Sequence, residues 1–182
     1  MKNDLPAATA LDETLRLQRE ACARTPYPSW EMRAAQLRAL RTMLLDNADA
    51  LAEALDADFG QRSKAELLLS ELWLAKSEID SALRHGKRWM KPQRRATGIW
   101  LRPAAAKVIA QPLGVIGIVA PWNYPILLAV GPLICALAAG NRAMIKMSEL
   151  TPRTAELFRQ LIERTFAPEH VTVVTGDASV GA

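Results

Sequence analysis

Apolar residues recur at two different periods along this chain, and the change between them falls near residue 98. In the first part Leu37, Leu40, Leu44, Ala48, Leu51 and Leu55 return every three or four positions, with Arg38, Arg41, Asp46, Asp49 and Glu53 on the other face. That spacing predicts one amphipathic helix, which Gly60 ends. Ser63-Lys64-Ala65-Glu66 has the form of a capping box and opens a further helix, whose stripe is Leu68, Leu72, Ala75, Ile79 and Leu83. A weaker helical pattern over Leu11 to Arg24 precedes both and is closed by Pro26 and Pro28.

Beyond residue 98 the pattern alternates between strand and helix. Lys107 to Gln111 and Val115 to Ala120 are short β-branched runs on either side of Pro112-Leu113-Gly114, which reads as a turn. Pro125 to Ala139 is apolar on every face and ends in Gly140-Asn141, so a helix buried against a sheet is expected. Ala143 to Met147 is the next strand. Thr151 is placed as an N-cap with Pro152 at the first helical position, the helix runs to about Thr165, and Val171 to Thr175 is a third strand. The order β-α-β-α-β predicts an α/β fold: N-terminal helices over residues 1–98, then a partial, three-stranded Rossmann-type parallel sheet with flanking helices over residues 99–182. The crossover after the third strand is unfinished at Ala182. The expectation is a truncated sheet with an open edge and an apolar face that a partner or further chain would cover.

Composition narrows the class. At 50% hydrophobic and 23% charged residues the chain can bury a core, and 9 Gly and 11 Pro in 182 residues are too few for a collagenous or low-complexity chain. Two Cys and two His, far apart, make neither a disulfide framework nor a zinc site, so no metal and a reducing, cytoplasmic setting are expected. Met1 to Ala10 has no apolar core of a signal peptide. The uncharged stretch between Lys107 and Arg142 is interrupted by Pro112, Gly114, Gly117, Pro121, Pro125, Gly131 and Pro132, which argues against a membrane span. The net charge is +4, and Arg84, Lys87, Arg88, Lys91, Arg94 and Arg95 cluster beside Trp89 and Trp100. Such a cluster suits nucleic acid. The modest net charge favours a solvated linker between the helical region and the sheet, and no nucleic-acid partner is expected.

Ligands of open α/β sheets bind at the carboxyl ends of the strands. Pro121-Trp122-Asn123-Tyr124-Pro125 follows the first strand there. Asn123 carries a neutral amide that can steady a developing oxyanion; an Asn between prolines equally builds a plain turn, and the residues alone leave both open. Lys146-Met147-Ser148-Glu149 follows the second strand, where a lysine and a carboxylate can hold ribose hydroxyls or simply sit solvated in a loop. Thr175 to Gly181 follows the third, with Gly176 and Gly181 but no G-x-G-x-x-G fingerprint. A non-catalytic nucleotide-binding or interaction module fits these features too.

Taken together, residues 111–125 (QPLGVIGIVAPWNYP), Leu137-Ala138-Ala139-Gly140-Asn141, Ile145-Lys146-Met147-Ser148-Glu149 and Thr151-Pro152 resemble the aldehyde dehydrogenase superfamily, in family order and spacing across most of the chain. Asp58-Phe59-Gly60-Gln61-Arg62-Ser63 is most similar to the coniferyl aldehyde dehydrogenase branch of its class 3-like part. The resemblance implies NAD(P)-dependent oxidation of an aldehyde, with an aromatic one of the coniferyl type as the expected substrate, by a homodimeric parent. It also implies that Asn123 helps hold the oxyanion and that Lys146 and Glu149 hold the adenosine ribose. Glu149 would repel a 2′-phosphate and favour NAD, with NADP still possible. Pro121 and Trp122 match a segment lining the nicotinamide side, Tyr124 lies near the substrate tunnel, and Gly176 and Gly181 near the adenine pocket. The family's cysteine nucleophile and glutamate base match no residue here: Cys22 and Cys135 fall on predicted helices, Cys135 on the buried one. Met147 stands where the family usually has proline, which predicts a looser turn. This chain alone is expected to be inactive.

Overall fold

A computed structural model describes residues 5–181. Five helical segments come first: α1 (Leu5–Arg24), α2 (Trp30–Asp46), α3 (Ala48–Phe59), the short α4 (Lys64–Leu67) and α5 (Trp73–Trp89), with a π-helical turn, Leu68–Leu72, joining the last two. The expected single helix through Leu55 is therefore two. Asn47 breaks it: the Asn47 side-chain amide donates to the Met43 carbonyl at 2.7 Å, in competition with the helical ladder, while the apolar stripe continues across the break. Gly60 ends α3 in the left-handed conformation, φ 83°, as its position predicts.

Two short strands follow, β1 (Gln93–Arg95) and β2 (Ala106–Val108), paired antiparallel with Arg94 opposite Lys107. Here the structure corrects the sequence reading. The run from Lys107 turns back onto the basic segment rather than onto the next strand, and Arg94 and Arg95 lie in an exposed ribbon instead of a loop. The sheet proper is β3 (Val115–Val119), β4 (Arg142–Lys146) and β5 (Val171–Val174), all parallel in the order β3-β4-β5. Its crossovers are α6 (Pro125–Ala139) and α7 (Pro152–Thr165).

Strand alternation divides the sheet into two faces. Ile118, Ala143, Ile145, Val171 and Val173 are buried with the apolar residues of α6 and α7 in one core that extends to Leu37, Leu51 and Ile79 of the helical part. The other face meets α1. Gln18 donates to the carbonyls of Ala143 and Pro168, and the Arg142 guanidinium donates to the Ala21 carbonyl at 2.5 Å. The face expected to be bare is thus partly covered by the chain's own first helix, while Val119 on the edge strand remains 70% exposed. Helix α6 is less uniformly buried than its sequence predicts. Pro132, Cys135 and Ala139 form an exposed stripe, so Cys135 is a surface thiol rather than a core residue. Gly140 caps α6 at φ 85°, and a Cβ there would fall 2.6 Å from the Arg33 guanidinium carbon.

Candidate active site

Hydrogen bonds prolong the sheet by one step past its strands. The Ala120 N–H donates to the Lys146 carbonyl at 2.9 Å and the Met147 N–H to the Val174 carbonyl at 3.1 Å. Proline at position 147 could not make the second bond. Met147 is fully buried, so this residue extends the ladder instead of loosening the turn. Three turns therefore leave the sheet along one edge, at successive strand spacings of about 4.8 Å: Pro121–Tyr124, Ser148–Thr151 and Thr175–Gly176.

The first turn is held from below by the helical region. Glu71, fully buried in the π-helical turn, accepts on one carboxylate oxygen from the Ile126 and Leu127 N–H groups, each at 2.9 Å. A carboxylate so placed satisfies free N–H groups at the start of α6 and complements its dipole. Burial pushes the Glu71 carboxyl up, against the pull of these bonds and of Arg62. The Arg62 guanidinium lies 3.3 Å from carboxylate oxygens of both Glu71 and Glu66 and donates to the Asn123 carbonyl at 2.6 Å. It also stacks between the rings of Phe59 and Tyr124, 4.7 Å from each centroid. Asn123 and Tyr124 line an open cavity of about 360 Å³ with Phe59, Gln61, Arg62 and Glu66. Trp122 is half exposed, its ring 6.3 Å from that of Phe59, and neither it nor the exposed Pro121 lines this cavity.

At the second turn the Lys146 ammonium reaches the Glu149 carboxylate at 2.5 Å, and this contact is the main reason the Glu149 carboxyl lies below its usual range. Glu149 and Gly176 come together in one cleft of about 300 Å³, with Ser148, Pro152, Ala155, Glu156 and Thr175. Gly176 has φ 144°, and a Cβ there would lie 2.7 Å from a Val180 methyl. The short 3₁₀ turn Ala178–Gly181 that follows requires the glycine at 176. Thr151 makes no cap to α7. Asp58, at the end of α3, does so instead, accepting from Arg153 N–H at 3.1 Å and Thr154 N–H at 2.8 Å.

Neither thiol reaches this edge. Cys22 lies beside Gly114, before β3 begins, and Cys135 is ten residues into α6, about 15 Å along a helix that runs away from the strand ends. Among the described residues, no group of three His, Cys, Asp or Glu could hold a metal ion, and no helix is long and apolar enough to cross a membrane. Sequence reasoning missed Asp58, Arg62 and Glu71. Glu71 did carry a signal, an acidic residue inside the apolar run Leu67-Leu68-Leu69 to Leu72-Trp73; Asp58 and Arg62 lie in the family-like run 58–63, but nothing in that run marks either as a cap or an anchor.

Residues 6–182 match the family model described as aldehyde dehydrogenase family. The chain is 49% identical over 164 residues to the probable coniferyl aldehyde dehydrogenase of Pseudomonas aeruginosa, covering 90% of this chain and 34% of that protein. It is 35% identical over 167 residues to aldehyde dehydrogenase family 3 member B1 of Mus musculus, covering 92% and 36%. Among solved structures it superimposes on substrate-bound AldH of Staphylococcus aureus with a TM-score of 0.90 at 30% identity, covering 94% of this chain and 37% of that one. The chain spans about a third of the length of each of these relatives.

Proposed function

The chain belongs to the aldehyde dehydrogenase family, and from that premise we propose that it is the N-terminal part of a cytoplasmic, homodimeric enzyme that oxidises an aldehyde to the carboxylic acid with NAD(P). Residues 1–98 then form a supporting helical segment and residues 99–182 the first half of the cofactor-binding domain. The substrate is an aromatic aldehyde of the coniferyl type, after the printed name of the Pseudomonas relative.

The observation that carries this reading is that Asn123, Glu149 and Gly176 leave the carboxyl ends of three successive parallel strands, Asn123 in one cavity and Glu149 with Gly176 in another. The donor set suits the cofactor: Glu149 supplies a carboxylate acceptor and Lys146 an ammonium donor for the adenosine ribose hydroxyls. Glu149 and Glu156 in the same cleft would repel a 2′-phosphate, which favours NAD over NADP. Gly176 borders the cleft near the adenine, with Gly181 on the turn that follows it, and Pro121 and Trp122 flank the nicotinamide. NAD, when bound, supplies the hydride acceptor. Asn123 steadies the aldehyde oxygen as negative charge develops, as a neutral donor that need not change protonation, while Tyr124 borders the substrate path.

With Cys22 and Cys135 both away from this edge, the 182-residue chain alone is inactive. Purified chain mixed with NAD and coniferyl aldehyde should give no NADH absorbance, while AMP should bind and perturb Glu149 and Gly176. Turnover abolished by thiol alkylation would place the chemistry on Cys135 or Cys22 and overturn the assignment.

A further inference from the structure

Arg62 is the one buried residue in the otherwise exposed stretch from Gly60 to Glu66, and Glu71 has no exposed surface at all. Stability gives little reason for such a pair. Desolvating two charges costs about as much as their attraction returns, and an apolar pair of similar volume usually does as well. The geometry gives a better reason, because the pair makes three separate attachments to one short segment. Glu71 takes the N–H groups of Ile126 and Leu127, and Arg62 takes the carbonyl of Asn123. Arg62 is hemmed in beside that carbonyl. Two rings sandwich its guanidinium plane, and two carboxylates lie 3.3 Å from its second terminal nitrogen as ion pairs without a hydrogen bond, so the Asn123 carbonyl is the one acceptor its guanidinium meets among the described residues. The Glu71 carboxylate is carried by a π-helical turn, a local widening of the helix that often marks a functional position. The Asn123 carboxamide, meanwhile, makes no side-chain hydrogen bond to another described residue. Its placement rests on its backbone.

We propose that Arg62 and Glu71 are positioning residues for Asn123: Glu71 fixes where α6 begins, and Arg62 ties the Asn123 carbonyl to that same point, so that the free carboxamide is presented from a backbone held on both sides. This inference rests on the assignment of Asn123 as the oxyanion donor. It adds the machinery that keeps this donor pre-organised, since a donor that had to be ordered during the reaction would lose much of its electrostatic advantage.

The test uses the nitrogen-15-labelled 182-residue chain. Removing one partner alone risks unfolding, because it strands a buried charge, so the informative variant is Arg62→Met combined with Glu71→Gln. Glutamine keeps an acceptor oxygen for Ile126 and Leu127, and methionine keeps apolar contact with Phe59 and Tyr124. Both charges and the donor to Asn123 are gone. The double variant should unfold near the wild-type temperature and keep its Ile126 and Leu127 amides protected, yet the Asn123 backbone order parameter should fall from about 0.85 to below about 0.6. A folded double variant with an unchanged Asn123 order parameter would overturn the proposal, leaving the pair as packing only. A parallel AMP titration keeps the two readings apart. Failure of AMP to move the Glu149 and Gly176 signals counts against the cofactor assignment, whereas the Asn123 order parameter answers for Arg62 and Glu71 whatever AMP does.

Discussion

Helices α6 and α7 both begin at the carboxyl end of a strand, both carry proline in the first turn, and neither is capped by the residue before it. Each is capped instead by a carboxylate from the helical region, Glu71 for α6 and Asp58 for α7, and each carboxylate takes two backbone N–H groups. The difference lies in the surroundings. Glu71 is fully buried and faces a buried arginine, while Asp58 is half-buried at the C-terminal end of α3 and makes no ion pair with another described residue. The turn leading into α6 carries Asn123, and the turn leading into α7 carries Glu149. The turn proposed to face the substrate is thus held from the interior and the turn proposed to face the cofactor is held from nearer the surface. Both caps come from the N-terminal helical region, so that segment would support the proposed site without supplying a contact residue to it.

The strongest way to break this comparison is to remove each cap. Glu71→Ala leaves Arg62 buried without its partner and two N–H groups unsatisfied, a loss of about 3–5 kcal/mol by analogy with other broken buried pairs. Asp58→Ala removes a helix cap that water can partly replace, at a cost of about 0.5–2 kcal/mol. Urea unfolding of the two variants measures the contrast directly. Equal losses would mean that burial and Arg62 add nothing to the α6 cap.

Acidity sharpens the same contrast. The Glu71 carboxyl is raised above its ordinary 4.5 by burial, despite Arg62 and with Glu66 adding to the rise. In the window between 4.5 and that raised value, the native chain holds more protons on this group than the unfolded chain does. The contribution of Glu71 to stability is therefore full below 4.5 and is lost as pH rises through the native value. Glu156, held to about 2 chiefly by Arg159, runs the other way: its contribution is full above 4.5 and is lost as pH falls toward about 2. The stability margin of the wild-type chain over Glu71→Gln should therefore shrink from acid toward neutral pH. A margin that grows toward neutral pH would show that the Arg62 attraction outweighs burial.

The parts of this design that were legible in the sequence are those set by neighbouring residues. Pro125 to Ala139 is bounded in the structure as the proline and Gly140 predict, and the three parallel strands fall within about one residue of their expected bounds. Asn123, Glu149 and Gly176 reach one sheet edge because β-α-β order alone dictates it. What was illegible depends on residues distant in sequence. The apolar stripe crosses the Asn47 break without a change of phase, so periodicity saw one helix where hydrogen bonding makes two. Thr151 has the right identity and place for a cap, yet Asp58, nearly a hundred residues earlier, takes the N–H groups it would have taken. Cys135 sits in a wholly apolar run, and only the packing of α6 against α2 and α5 shows which stripe is left outside.

The smallest effect on stability should come from the turn proposed to hold the cofactor, where it also separates folding from binding. Glu149 meets Lys146 at the surface, and exposed ion pairs contribute little because water screens them and two long side chains must be ordered to make them. Glu149→Gln should leave the unfolding temperature where it is. The same change removes the charged acceptor proposed for the ribose hydroxyls, so AMP should bind about tenfold more weakly, the loss expected when a hydrogen bond to a charged group becomes neutral. Calorimetry with AMP and thermal unfolding of one sample give both numbers. A variant that loses stability and keeps its AMP affinity would reverse the roles: the second turn would then be held by its own ion pair, and Asp58 would no longer be the counterpart of Glu71.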